Sequence, residues 1–304
     1  MFQRFWLRPD SSVETRMKKM TFISVAVMLF GLCSLSWAQR QVRDELGRTM
    51  TVPDKPHRVV CLTPSVTDTV YSLGAGQDVV GVSDYTKYPI EALKKPSVGQ
   101  VLNPSIEAVV ALHPDLAIGV GDLTTEAAVL KMERLGIPVF LVVPRGIGGI
   151  YRSIENIGKV LNREREARQL VSGLRAREEA VRKRVSGKAV VRVLMPLSDD
   201  PVITIGKNAF LTELIAAAGG RSVTDDLAQD WPGISMEAIL ARHPDYLVLI
   251  EGSPMTIDDL KKRPGWKTLA CVQQNRIFYV DDKMNYSSPQ VFDALESLAK
   301  QFHP

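Results

Sequence analysis

From His57 onward, short unbroken apolar runs alternate with stretches in which apolar residues recur every three or four positions. RVVCL (58–62), VVGV (79–82), LAIGV (116–120) and PVFLVV (138–143) are compact and rich in β-branched residues. Runs of this kind predict strands buried on both faces, as in a parallel sheet. Between them, TPSVTDTVYSLGAG puts Val66, Val70 and Leu73 at helical spacing before Gly74, and TTEAAVLKMERLG (124–136) predicts another helix. The rhythm resumes after Gly187. AVVRVLMPL (189–197), VITI (202–205), YLVLI (246–250) and RIFYV (276–280) predict strands. NAFLTELIAAAGG (208–220) predicts a helix stopped by two glycines, and Val291, Leu295, Leu298 and Phe302 mark one face of a last helix.

The middle of the chain has a different texture. NREREARQLVSGLRAREEAVRKRV (162–185) is dense in charge, with Ala167, Leu170, Val171, Leu174, Ala180 and Val181 at helical spacing. It predicts a solvated rod of about 36 Å, at 1.5 Å per residue. The expected fold is therefore α/β: two Rossmann-like lobes with parallel sheets, joined by a single long α-helix. The expected boundaries are a leader at 1–38, an N-terminal extension at 39–56, one lobe at 57–148, a linker with the long helix at 149–187, and a second lobe at 188–304.

One sentence is written twice. SIEAVVALHPDLAI (105–118) and SMEAILARHPDYLV (235–248) match at Ser, Glu, Ala, Ala, His, Pro and Asp. Each copy reads as a short helix ended by proline, a turn, then a strand. Homologous lobes account for the apolar residues, the proline and the aspartate. Glu107 and Glu237 fall in a first helical turn, where the helix dipole favours a carboxylate by about 0.3–1 kcal/mol. The alternative is that the two are exposed docking points for a partner with two positive sites.

Charge and cysteine usage narrow the class. Residues 1–38 hold five Lys/Arg and two acids, so they carry three of the four net positive charges. The near-neutral remainder has no footprint for nucleic acid. Arg16, Lys18 and Lys19, the apolar run Thr21–Trp37 and the cleavage pattern Ser36-Trp37-Ala38 read as a secretory signal with Gln39 as the mature start. Met17 is a second candidate start. A retained anchor is the alternative, and Leu32 is bulky for lipoprotein processing at Cys33. Export allows disulfides, but Cys61 lies in a buried-strand pattern and Cys271 in the other lobe, so two buried free thiols are expected.

Motifs for catalysis are missing. PRGIGGIYRSI (144–154) lacks the spacing of a phosphate loop and reads as a Gly-rich entry to the connecting region. His113 and His243 read as turn residues, not metal ligands, and no metal site is expected. What remains is a set of polar and aromatic residues in loops at strand ends: Ser65, Tyr85, Tyr88, Asp122, Trp231, Asp282 and Tyr286. Ligands of open α/β sheets bind at the carboxyl ends of the strands. Aromatic walls with a few polar groups suit a large, flat, partly apolar ligand.

RDELGRTMTVPDKPHRVVCLTPS, SDYTKYP, NPSIEAVVALHPDLAIG, ITIGKNAFLTELIAAAGG, WPGISMEAILARHPDYLVLI and NYSSPQVFDALESL occur in the order found in the helical-backbone periplasmic binding proteins of ABC importers. The chain resembles that family over nearly its whole mature length, and most of all its cobalamin-binding members. The resemblance implies that Glu107 and Glu237 dock onto arginines of the permease's transmembrane subunits. It also implies that Tyr88 or Tyr85, Trp231 and Asp282 line a corrin pocket. Two tryptophans of the cobalamin-binding members have no counterpart in VGQVLN and GVGDLT, and the coordinating Tyr of haem receptors is missing near Gln100. The expectation is a monomeric periplasmic solute-binding protein, without cofactor or catalysis, that carries a corrinoid. A ferric siderophore is the alternative ligand, and an exported two-lobed enzyme a distant one.

Overall fold

The computed structural model describes residues 38–304. The expected leader, its cleavage site and Cys33 lie outside them. A two-stranded sheet of β1 (Gln39–Arg43) and β2 (Thr49–Pro53) precedes the N-lobe. The N-lobe runs β3 (Val59–Cys61), α1 (Pro64–Ser72), β4 (Val79–Val82), α2 (Ile106–Ala111), β5 (Leu116–Val120), α3 (Glu126–Arg134) and β6 (Val139–Val142). Two helices follow, α4 (Gly146–Val160) and α5 (Glu164–Val185). The C-lobe runs β7 (Val191–Leu194), β8 (Pro196–Asp199), β9 (Val202–Thr204), α6 (Phe210–Ala217), β10 (Gly220–Ser222), α7 (Met236–Arg242), β11 (Tyr246–Ile250), α8 (Ile257–Lys262), α9 (Ala270–Gln273), β12 (Ile277–Val280) and α10 (Val291–Phe302).

Both lobes use one strand order. The N-lobe sheet is β4-β3-β5-β6 and the C-lobe sheet is β10-β7-β11-β12, all parallel. Setting aside the β8–β9 hairpin, each sheet places its first strand between its second and third. β3, β5 and β6 are buried at every position, as strands covered by helices on both faces must be. The run 189–197 is not one strand, as its composition suggested. β7 stops at Leu194, and Pro196, which has no N–H to give a ladder, opens the antiparallel β8–β9 hairpin.

The repeated segment falls at the third strand of each sheet. Ser105 and Ser235 cap α2 and α7, each accepting from an alanine N–H at 3.2 Å. The histidines of the two turns take the left-handed conformation, with φ of 45° at His113 and 46° at His243. The aspartates then fasten the first strand of the same sheet. Asp115 accepts from the N–H groups of His57 and Arg58 at 2.8 and 3.0 Å. Asp245 accepts from Arg192 N–H at 2.8 Å and from its guanidinium. The HPD triplet is therefore a structural clamp, used once per lobe.

The join between lobes is a packed core. One apolar cluster runs from Val59, Ile118 and Phe140 through Ile150, Ile154 and Leu174 to Val193, Leu214 and Leu295. The 22-residue α5, about 33 Å long, packs along α4 and against α6 and α10 of the C-lobe, while α4 bridges the lobes, packed against α1 on one side and α6 on the other. Tyr151 of α4 stacks on Phe292 of α10 at 5.4 Å between centroids. Arg177 of α5 pairs with Glu296 and Asp293 of α10 at 2.7 and 2.6 Å. Before β2, Glu45 accepts from Val143 N–H (2.7 Å), Ser153 (3.1 Å) and Asn156 (3.0 Å), which ties the end of β6 to α4. Cys61 and Cys271 are free and buried, and burial pushes their thiols up to about 12 and about 11. No helix among the described residues is long and apolar enough to cross a membrane.

Candidate ligand cleft and docking face

The carboxyl ends of the strands face the space between the lobes. Thr63 leaves β3 and caps α1, accepting from Val66 N–H at 3.4 Å. Asp122 and Leu123 follow β5; Pro144, Arg145 and Gly146 follow β6; Asn285, Tyr286 and Ser287 follow β12. Asn208 and Phe210 open α6, and Asp230 and Trp231 lie before α7. A cavity of about 770 Å³ lies between Asp122, Leu123 and Arg145 of the N-lobe side and Asn208, Phe210, Asp230 and Trp231 of the C-lobe. A smaller one of about 220 Å³ lies among Thr63, Ser65, Tyr85, Val101 and Tyr286. The two share Val120, Leu123, Pro144, Asn285 and Ser287 as a common wall, so they form one cleft.

Five of the expected ligand residues line this cleft: Ser65, Tyr85, Asp122, Trp231 and Tyr286. Ser65 is buried and its hydroxyl lies 3.2 Å from that of Thr63. Trp231 and Tyr85 present large exposed faces, 48% and 57% of their surface. Tyr88 and Asp282 are elsewhere. They close one edge of the cleft by reaching across it. Lys87 of the N-lobe pairs with Asp282 of the C-lobe, and the Lys283 ammonium lies 4.8 Å over the Tyr88 ring. Tyr286 donates to the Tyr85 carbonyl at 3.5 Å. Asp68 on α1 accepts from Gln290 N–H at 3.4 Å and from its side-chain amide. Hydrogen bonding to Asp282 raises the Lys87 ammonium above its ordinary range. Burial raises the Asp68 carboxyl, although Gln290 pulls the other way.

The Gly-rich run 144–149 is the start of α4. Gly146 has φ of +66°, a conformation that side chains with a Cβ resist, and its added Cβ would meet Glu213 Oε2 at 2.2 Å. That carboxylate, from α6 of the other lobe, accepts from Ile147 N–H at 2.9 Å. The anion attracted to this helix end thus comes from the chain itself. Among the described residues, no group of three or more His, Cys, Asp or Glu stands close enough to hold a metal ion.

Glu107 and Glu237 stand exposed in the first turns of α2 and α7, one on each lobe. Neither forms an ion pair among the described residues. Its own N–H and the Ser235 hydroxyl hold the Glu237 carboxyl below the usual range. Both helices run toward the amino ends of the strands, so both glutamates lie at the cleft-facing end of their lobes.

Sequence reasoning did not single out Arg145, Phe210, Asn208, Asp230 or Asn285 as cleft residues. Arg145 lies three residues past the end of the fourth strand, and the rule that ligands meet strand ends was enough to find it. Phe210 and Asn208 belong to a segment whose pattern reads as an ordinary helix start.

Residues 59–284 match the family model described as periplasmic binding protein. A substrate-binding lipoprotein of an ABC transporter from Bacillus subtilis, YvrC, is 30% identical over 271 residues, covering 86% of this chain and 85% of that protein. A vitamin B12-binding protein of Yersinia pestis is 26% identical, covering 83% of this chain and 89% of that one. The apo periplasmic haem-binding protein RhuT from Roseiflexus is 25% identical, with a TM-score of 0.75 over 81% of this chain and 98% of its own. The shared strand order, the helix pair that joins the lobes and these matches agree: the chain belongs to the periplasmic binding protein family, as a substrate-binding component of ABC transport and not an enzyme.

Proposed function

We propose that this protein captures a corrinoid between its lobes and delivers it to the transmembrane subunits of an ABC importer. The observation that carries the reading is the cleft. Its larger cavity of about 770 Å³ has the size of a small-molecule site, and Trp231, Phe210, Tyr85, Tyr286 and Leu123 offer apolar and aromatic surface to a flat ligand. The relationship to a vitamin B12-binding protein supports it. Calorimetric titration with cyanocobalamin, cobinamide and ferrichrome tests it. Saturable heat with a corrinoid is expected. Heat with ferrichrome alone would replace the corrinoid by a ferric siderophore.

Glu107 and Glu237 are the docking residues in this reading. They are equivalent in the two lobes and exposed, and among the described residues each meets only its own helix end and capping serine, with no ion pair. Nothing in the folded chain uses their charge beyond the helix ends, so it is available to positive sites on a partner. The continuous apolar core through α4 and α5 keeps their separation nearly constant as the cleft opens and closes. Replacing both by arginine is expected to abolish permease binding while leaving ligand heat unchanged. Unchanged uptake by that variant would sink the docking role.

A further inference from the structure

The charged residues of the cleft are arranged to discriminate between two kinds of ligand rim. Arg145 donates from Nε and Nη2 to the two carboxylate oxygens of Asp122, both at 3.0 Å. The pair is not buried: the side chains are 74% and 50% exposed, on the wall of the larger cavity. Two of the five guanidinium N–H groups are taken by Asp122, and the others point away from it, while the carboxylate keeps lone pairs free. On the opposite wall, beside Trp231, stand the Asp230 carboxylate and the amides of Asn208 and Asn285. The cavity is thus lined by one cation and two anions.

A carboxylate entering the larger cavity finds Arg145, the cation on its wall, already neutralised. It must also approach Asp122 and Asp230, which repel it. A primary carboxamide meets the opposite situation. Its oxygen accepts from a free N–H of Arg145 and its NH₂ donates to Asp122, so it bridges the ion pair without displacing it. Asn208 and Asn285 offer the same donor and acceptor pairing. We infer that the cleft selects an apolar ring system fringed with neutral carboxamides over the same ring fringed with carboxylates, and that Asp122, Arg145 and Asp230 make the selection.

This inference rests on the corrinoid reading, because corrins exist in both forms on one carbon skeleton. The test compares dicyanocobinamide, whose rim is amidated, with dicyanocobyrinic acid, whose rim carries free acids, by calorimetry on the purified protein. The amide is expected to bind at least about tenfold more tightly at low salt, with the gap narrowing as salt is raised. The double variant Asp122→Asn with Asp230→Asn changes two exposed side chains and should bring the two ligands within about threefold of each other. Equal or tighter binding of the acid by the unmodified protein overturns the selection but leaves the corrinoid reading intact. An unchanged ratio in the double variant overturns the assignment to these residues. No binding of either corrin sinks the corrinoid reading, and this inference with it.

Discussion

The N-lobe and the C-lobe share a strand order, a serine-capped helix and a left-handed histidine turn, yet they furnish the cleft differently. The N-lobe side supplies the ion pair of Asp122 and Arg145 and the apolar Leu123; the C-lobe supplies Trp231, Phe210, Asp230 and two asparagines. The clamps differ too. Asp115 accepts from two backbone N–H groups, whereas Asp245 accepts from one and from the Arg192 guanidinium. Around Glu107 the N-lobe exposes Leu102 and Val110, and no large apolar residue is comparably exposed on α7 of the C-lobe. Duplication therefore fixes what builds a lobe and leaves the loops at the strand ends free to diverge, because a loop carries no ladder and fills no core.

The comparison can be broken most directly at the docking face. Glu107→Arg and Glu237→Arg are each expected to cut uptake about tenfold, and together to reduce it to background, with ligand affinity unchanged. A single variant that loses everything would show that one lobe docks alone. Next come the clamps. Asp115→Ala and Asp245→Ala should each cost about 1 kcal/mol in urea unfolding, since each removes exposed hydrogen bonds at the head of a central strand, where water can replace the lost acceptor. A much larger cost in one lobe would mean that the repeat is not equivalent in energy. Trp231→Ala should weaken ligand binding about tenfold by calorimetry without changing the unfolding midpoint, because nearly half of the ring is exposed in the cleft.

Smaller effects separate the connector from the lobes. Hydrogen bonds from Arg177 hold Glu296 below its unfolded value of 4.5. A carboxylate depressed on folding contributes stability that is present above the unfolded value and lost as pH falls through the folded one. Arg177→Ala should therefore be less stable by about 1 kcal/mol near neutrality, and the gap should close in urea melts well below pH 4.5. The smallest effect is expected in the turns. His113→Gly and His243→Gly relieve a left-handed backbone but loosen the unfolded chain, for a net gain of about 0.5 kcal/mol in each lobe. Thermal melts of the two variants should agree.

The frame of this protein was legible in the chain. Buried strands such as LAIGV and VFLV announce a parallel sheet because both of their faces must be covered, and the repeated Ser-Glu and His-Pro-Asp announce two lobes of one design. Local chemistry is enough there: a cap, a proline stop and an apolar run act within a few residues of themselves. The break at Pro196, the second helix of the connector and the pairing of the cleft's charges were not legible in the same way. Met195 and Pro196 look like the end of a strand until the hairpin takes them out of the sheet. Tyr88 and Asp282 look like cleft residues until the lobes meet and set Lys87 against one and Lys283 over the other. Arg145 reads as a loop residue until β5 and β6 lie side by side and bring Asp122 within 3.0 Å. The sequence determined which residues leave the strand ends; only tertiary contact, between groups far apart along the chain, decided which of them line the cleft and which pair across its edge.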